Sequence, residues 1–358
     1  MPAGKGEIRM ISFEPVRLEN TPWETLDAFE DRMIFQTRPW LEFISSTQGA
    51  APVVVLIRNN GKLVGCFTGF SFRKMGVKLL ASPFTGWTTP FMGFNLSPEI
   101  SFHDVLAKFH SFAFEELGCR FFQVIDRKTK KENYAGLPYT ASFYTNLEFD
   151  LNRPENEIFS GMESACRRCI RKAEKIGVLI EEASDPEFAD DYYPQLQEVF
   201  RKHALVPTYG IDRVRELITH LQPTGHLLLL RARDPEGHCI ATGIFPGFNR
   251  HMHFFGGASW RKYQILRPNE ALMWYAMKYW KNRGATTFDM GGWAPYKKKY
   301  GAYEMQNTLL MAADPGFLIP LRDLAHQTWR RYHRSLSWIK LRPRDRRDIT
   351  GEDETREG

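Results

Sequence analysis

Phe288-Asp289-Met290-Gly291-Gly292, followed by Tyr296-Lys297-Lys298-Lys299-Tyr300-Gly301, is the stretch on which the reading of this chain turns. The lead from Ala285 to Met290 has the composition of a strand and ends in an aspartate and two glycines. Glycines at a strand end let the backbone turn through positive φ or let a ligand approach closely. Three lysines between two tyrosines follow, so a carboxylate and several ammonium groups gather at a strand terminus. In open α/β sheets, ligands bind beyond the carboxyl ends of strands. The plain alternative is a strand, a turn and the solvated start of a basic helix.

A second segment lies upstream. Arg167-Arg168-Cys169-Ile170-Arg171-Lys172-Ala173-Glu174-Lys175-Ile176-Gly177-Val178 predicts an Arg/Lys-rich helix, ended by Gly177 and followed by a strand. With the first stretch, this order resembles the Fem family, transferases that add amino acids to the peptidoglycan precursor, and their GNAT-type acetyltransferase relatives. That pattern reads roughly R-x-x-I-R-K-A-x-K-x-G-V, then D-x-G-G, then F-K-x-x-F-G. Here Tyr296-Lys297-x-x-Tyr300-Gly301 fills the last part, with tyrosine at both aromatic places. The resemblance runs from Asp150 to Gly301; the first half shares only a strand–helix outline. It implies an α/β fold of two tandem GNAT-like units, each a mixed sheet flanked by helices.

Composition sets bounds. The 358 residues are 43% hydrophobic and 25% charged, as expected for a globular protein of one large or two ordinary domains. Five scattered cysteines fit reduced thiols better than a disulfide framework. No apolar run approaches the ~18 residues of a membrane span, and the first residues lack a signal-peptide pattern, so a cytoplasmic location is expected. The net charge of +6 concentrates in residues 167–175, 297–299 and 330–347. Such patches favour anionic partners, or simply keep the chain soluble.

Pro52 to Ile57 and Leu63 to Phe72, joined through Asn59-Asn60-Gly61-Lys62, predict a β-hairpin. Residues 82–93 form an aromatic-rich loop, Phe102 to Leu117 has helical spacing, and Arg120 to Ile125 is a strand. The second half repeats this order: strands at Leu227 to Arg231, Cys239 to Phe245 and Arg250 to Gly256, a helix from Asn269 to Arg283, and a strand from Thr286 to Met290. The expected divisions are 1–150, 151–325, and a basic amphipathic segment with a tail at 326–358. His326 to Lys340 is suited to a membrane surface, where lipid-linked acceptors reside, and Arg342 to Gly358 has a disordered composition.

Acyl transfer to an amine needs a held donor, a proton acceptor and donors for the developing oxyanion. Arg261, Lys262 and Arg267 precede a helix beginning near Pro268-Asn269, a place suited to a phosphate. The glycine-rich Q/R-x-x-G-x-G/A signature of coenzyme A binders is missing there; a solvated loop is the alternative. Arg168, Arg171 and Lys172 share one helix face and could clamp a phosphate or stand exposed. The resemblance implies that Lys297 meets donor or substrate phosphate, or transition-state charge. Asp289 is a candidate general base or amine anchor, or a strand-end cap. Gly291 and Gly292 would allow close approach, and Tyr263 is a second candidate for the proton. His251 and His253 share a strand face. Cys166 and Cys169 lack a second ligand pair, so no metal is expected.

Taken together, these observations predict an acyltransferase that moves an acyl group from acyl-CoA, or from aminoacyl-tRNA, to an amine acceptor that is soluble or lipid-linked, without a metal or a stable protein partner. Peripheral contact with the inner face of a membrane is a further expectation. The absence of a coiled-coil heptad stretch favours the small thioester donor. The rival is a non-catalytic module that holds phosphate or nucleic acid, with Trp260, Tyr263, Tyr296 and Tyr300 for stacking.

Overall fold

A computed structural model describes residues 10–202, 205–325 and 327–328. The amphipathic stretch expected at 326–340 and the tail at 342–358 lie outside them, save residues 327 and 328. The strands are β1 (Ile11–Val16), β2 (Ala51–Asn59), β3 (Lys62–Lys74), β4 (Val77–Ser82), β5 (Phe94–Leu96), β6 (Phe121–Asp126), β7 (Thr140–Asp150), β8 (Leu179–Ala183), β9 (Leu227–Arg233), β10 (Cys239–Phe248), β11 (His251–His253), β12 (Gly256–Ser259), β13 (Thr287–Gly292) and β14 (Tyr303–Ala313). The α-helices are α1 (Trp23–Asp27), α2 (Arg38–Gln48), α3 (Phe102–Ser111), α4 (Lys131–Tyr134), α5 (Glu155–Gly161), α6 (Ser164–Ile176), α7 (Phe188–Lys202), α8 (Ile211–Leu221), α9 (Pro268–Asn282) and α10 (Pro295–Lys298).

The described residues divide into two compact units, 10–145 with 306–319, and 146–305 with 320–328. The cut after Thr145 lies five residues before the boundary expected at Asp150. Residues 306–319, expected in the second unit, pack in the first. In each unit the strands follow one plan. In the first unit the order is β1-β2-β3-β4-β6-β14, with β5 also beside β3; in the second it is β8-β9-β10-β11-β13-β7, with β12 also beside β10. Each mixes antiparallel neighbours with one parallel pair, β4 with β6 and β11 with β13. The sixth strands are exchanged: β7 follows β6 in the chain but pairs with β13, and β14 follows β13 but pairs with β6.

The first unit is built on phenylalanine. Phe109 of α3 meets Phe13, Phe67, Phe94 and Phe122 with ring centroids 4.7–5.5 Å apart. Offset and edge contacts of this kind are favourable beyond the area they bury. Val55, Ile57, Leu80, Val124 and Leu310 complete this core. α2 packs on β2 and buries Trp40 and Phe43.

In the second unit, β10 sends alternate side chains to opposite layers, as a strand must. Ala241 and Phe245 join the core with Leu272, Met273, Met277 and Trp280 of α9 and Ile170 of α6. On the other face, the Thr242 hydroxyl donates to Gln195 of α7 at 2.8 Å. Helices therefore cover both faces. Among the described residues, no helix is long and apolar enough to cross a membrane.

Candidate active site

The site begins where one strand breaks. Arg250 to Gly256, read above as a continuous strand, is interrupted: β11 ends at His253, and β12 starts at Gly256. Below the break, β11 pairs with β13 through His253 and Asp289. The last link is the Phe254 N–H, which donates to the Asp289 carbonyl at 2.8 Å. Beyond it, β12 stays with β10, and β13 turns to Asn146 of β7. Two neighbouring parallel strands thus splay apart, and among the described residues the edge of β12 that faces away from β10 has no strand beside it.

A cavity of about 440 Å³ occupies the splay. Gly257, Ala258 and Ser259 of β12 line one side, Tyr296, Lys299 and Tyr300 another, and Arg267, Asn269, Glu270 and Met273 the helix side. α9 starts with Arg267 in the left-handed region (φ 62°), Pro268 in the first turn, and no side chain capping its end. The first N–H groups of a helix and its dipole favour an anion. Asn269 donates to the Ser259 hydroxyl at 3.0 Å, tying the helix start to β12. Lys299 and Glu270 form an ion pair at 2.7 Å, the carboxylate being only 9% exposed. Burial pushes the Tyr300 and Tyr296 phenols above their ordinary value, so both stay protonated at neutral pH.

A second group lies at the end of β13. Asp289 is buried, and its carboxylate accepts from Asn146 at 3.0 Å and from the Gly291 N–H. His253 stands 3.7 Å away. Lys297 is buried too, and its ammonium donates to the carbonyls of Met290 and Gly292, each at 2.7 Å. Burial lowers its pKa, and the Asp289 charge works against that shift. Gly291 sits between at φ 74°, a conformation that costs a side-chain-bearing residue about 1 kcal/mol or more. Two of the three lysines of the motif thus do different things: Lys297 clips the strand end, and Lys299 faces the cavity.

The residues put forward from sequence fall into four places. Arg267 and Asn269 line the cavity. Asp289, Gly291, Gly292 and Lys297 form the buried cluster. Arg168, Arg171 and Lys172 stand exposed on α6, opposite its buried Cys166, Ile170 and Ala173. Arg168 reaches only Ser164 of its own helix, and Arg171 lies 5.3 Å from the Phe159 ring. Tyr263 and Arg261 belong to the short 3-10 turn Arg261–Leu266 and do not line the cavity, the Tyr263 ring stacking near His238 instead. Glu270, Ser259 and the cavity roles of Tyr296 and Lys299 went unread. The available signal was Glu270, a charge on a helix position followed at three and four residues by Met273 and Trp274. Among the described residues, Asp234, Glu236 and His238 are the one grouping with metal-ligand spacing. Asp234 there caps its own turn, accepting from the His238 N–H at 2.8 Å.

Comparison with known proteins bears on this geometry. Residues 161–300 match the acetyltransferase (GNAT) domain family. No curated protein matches the chain by sequence. Among solved structures, the chain is similar to FemX, with a TM-score of 0.68 at 14% identity over 82% of this chain and 96% of that one. It is also similar to a conserved protein of unknown function from Bacteroides thetaiotaomicron, with a TM-score of 0.55 at 12% identity, over 85% of this chain and all of that one. A tandem GNAT protein from the clavulanic acid pathway covers 85% of this chain and 98% of itself at 11% identity, with a TM-score of 0.49. Residues 161–300 thus match the acetyltransferase (GNAT) domain family, and the chain shares the fold of FemX.

Proposed function

We propose that the second unit is an N-acyltransferase: an acyl donor enters the splay between β12 and β13, and an amine attacks its carbonyl directly. The observation that carries this reading is the cavity itself, bordered by an open strand edge on one side and an uncapped helix start on the other. Unpaired N–H groups of β12 are suited to the oxyanion of the tetrahedral intermediate. The start of α9 with Arg267 is suited to a donor phosphate. Tyr296, at the cavity wall and held as a neutral phenol, is suited to give its proton to the leaving group and to recover one from the amine nitrogen, so that the proton balance closes. Asp289 and Lys297 hold the turn that aims α10 and do not touch the reacting atoms in this reading.

Two donor classes fit. A thioester of coenzyme A is the first. An aminoacyl ester on tRNA is the second, and one observation favours it: Arg267 occupies the positive-φ position before α9, where coenzyme A binders use glycines to bring the pyrophosphate against backbone. The acceptor on this reading is a primary amine, including one on a lipid-linked peptidoglycan precursor.

The test pairs donors with variants. Labelled acetyl-CoA and charged tRNA are each incubated with the protein and a panel of amines, and transfer is followed by mass. Tyr296→Phe is expected to lower kcat by roughly 10²-fold or more, the scale of lost general acid catalysis. Arg267→Glu is expected to raise the donor KM. Transfer from neither donor, or full activity in both variants, would remove the proposal.

A further inference from the structure

The first unit contains the counterpart of the splay. β4 pairs with β6 in parallel from Leu79 with Phe121 to Ser82 with Val124. The chain then leaves, and β5 returns to pair with the other end of β3, Phe94 opposite Phe67. β11 and β12 stand in the same relation to β10 and β13. α3 follows β5 as α9 follows β12, and α4 follows β6 as α10 follows β13. At the equivalent place, between β5, the start of α3 and the end of β6, lies a cavity of about 380 Å³. That is within the ~300–1,000 Å³ of small-ligand sites.

Its chemistry is different. α3 is capped by its own Ser101, whose hydroxyl accepts from the Asp104 N–H at 3.2 Å, and Asp104 adds a negative charge to the first turn. A phosphate therefore finds one N–H taken by the cap and a less favourable field there than at α9. At the end of β6, Asp126 accepts from the N–H groups of Lys128 at 2.7 Å and Thr129 at 3.1 Å, and from Phe94 at 3.4 Å. Its carboxylate thus ties β6 to β5 and is committed to the fold. The remaining polar wall carries both signs. Asp31, 17% exposed, is paired with the Lys128 ammonium at 2.8 Å, and Lys130 and Glu132 stand beside them. The opposite wall is apolar, with Phe94 and Phe102 edge to face at 5.4 Å, and Leu96 and Ile100 next to them.

We infer that this cavity binds a small zwitterion with an apolar side chain, that is, a free amino acid such as phenylalanine or leucine. Its ammonium would meet Asp31, its carboxylate the Lys128 and Lys130 ammonium groups, and its side chain the Phe94–Phe102 wall. A zwitterion suits this place because it adds no net charge to a mouth already balanced in sign, and it converts one ion pair into an alternating array of four charges. The inference does not depend on the acyltransferase reading of the second unit, because the two cavities share no residue.

Isothermal titration of the full chain with L-phenylalanine and L-leucine tests it, with N-acetyl-phenylalanine amide as the uncharged control. The expected result is saturable binding of the amino acids at one site per chain, absent for the control. Asp31→Asn and Lys128→Gln should each weaken it roughly tenfold, the scale of a lost charged hydrogen bond, while Arg267→Glu leaves it unchanged. Lys128 is exposed, and Asn keeps the shape of the half-buried Asp31, so neither substitution removes an apolar core side chain. Three results would overturn the inference: no binding of either amino acid, equal binding of the uncharged control, or binding that responds to Arg267→Glu and not to Asp31→Asn. Coenzyme A filling two sites per chain, with the second lost in Lys128→Gln, would also overturn it by making this cavity a second donor site.

Discussion

Lys297 carries the tightest local argument in the chain. Its ammonium is buried and donates to two carbonyls of the same strand end, Met290 and Gly292. Lys297→Met removes this donor from both acceptors; Gly292 is exposed, but Met290 is buried, and an unsatisfied buried acceptor costs about 1–3 kcal/mol. A loss near 2 kcal/mol in chemical denaturation is expected. The titration supplies a second readout. Burial lowers the lysine pKa below its ordinary 10.5 in the folded chain. Between that lowered value and 10.5 the unfolded chain holds more protons than the folded one, so stability rises with pH across that window. Below it both states are protonated and the dependence vanishes. The neutral amine keeps two N–H donors, enough for both carbonyls. Denaturation midpoints of wild type and Lys297→Met, measured from neutral pH to 10.5, should therefore diverge on the alkaline side. Parallel curves would mean that the Lys297 ammonium is not the group that titrates.

Between elements, the Lys299–Glu270 pair joins the residue that caps α10 to the first turn of α9. The two partners are not equivalent. Glu270 is nearly enclosed, whereas Lys299 is 27% exposed and its long stem can carry the ammonium to water. Lys299→Met strands a buried carboxylate and should cost about 3 kcal/mol; Glu270→Gln should cost about 1 kcal/mol. Equal losses in urea denaturation would show that the pair behaves as a surface contact. This contact also marks where sequence reading stops. The hairpin through Asn60-Gly61, the helix from Asn269 and the strand into Gly291 were legible because turn residues and periodicity are local signals. So were Arg267, Asn269 and the Asp289–Lys297 cluster as chemically notable residues. The break after His253 was not, because Phe254 and Phe255 are good strand formers and only the divergence of β12 from β13 interrupts them. β7 and β14 were missed for a related reason. β7 exposes Phe143 and Tyr144 while burying Asn146 and Glu148, the reverse of an amphipathic pattern, and its hydrogen-bonding partners lie over a hundred residues away in the chain.

At the scale of the whole chain, the exchanged strands make the halves unequal. The segment 146–305 contains every strand of its own sheet, including the part of β7 that pairs with β13. Residues 1–145 lack β14, which pairs with all of β6 from Asp126 to Phe121 and brings Leu309, Leu310 and Met311 into buried positions. Without it, β6 becomes an edge of six residues that are buried in the intact chain, four of them Phe121, Phe122, Val124 and Ile125. A long apolar edge with open N–H and C=O groups is a template for intermolecular pairing. Losing Leu310 also opens the phenylalanine core. The expected outcome is that residues 146–305 expressed alone are monomeric and melt cooperatively, whereas residues 1–145 alone aggregate. Adding residues 306–319 to the latter through a flexible linker should restore a monomer with a cooperative transition, because the strand supplies both the hydrogen-bond ladder and the missing core. Size-exclusion chromatography and thermal melts of the three fragments decide it. A well-folded monomer of 1–145 would mean that β14 is dispensable to the first unit, and that the exchange of sixth strands adds little to its stability.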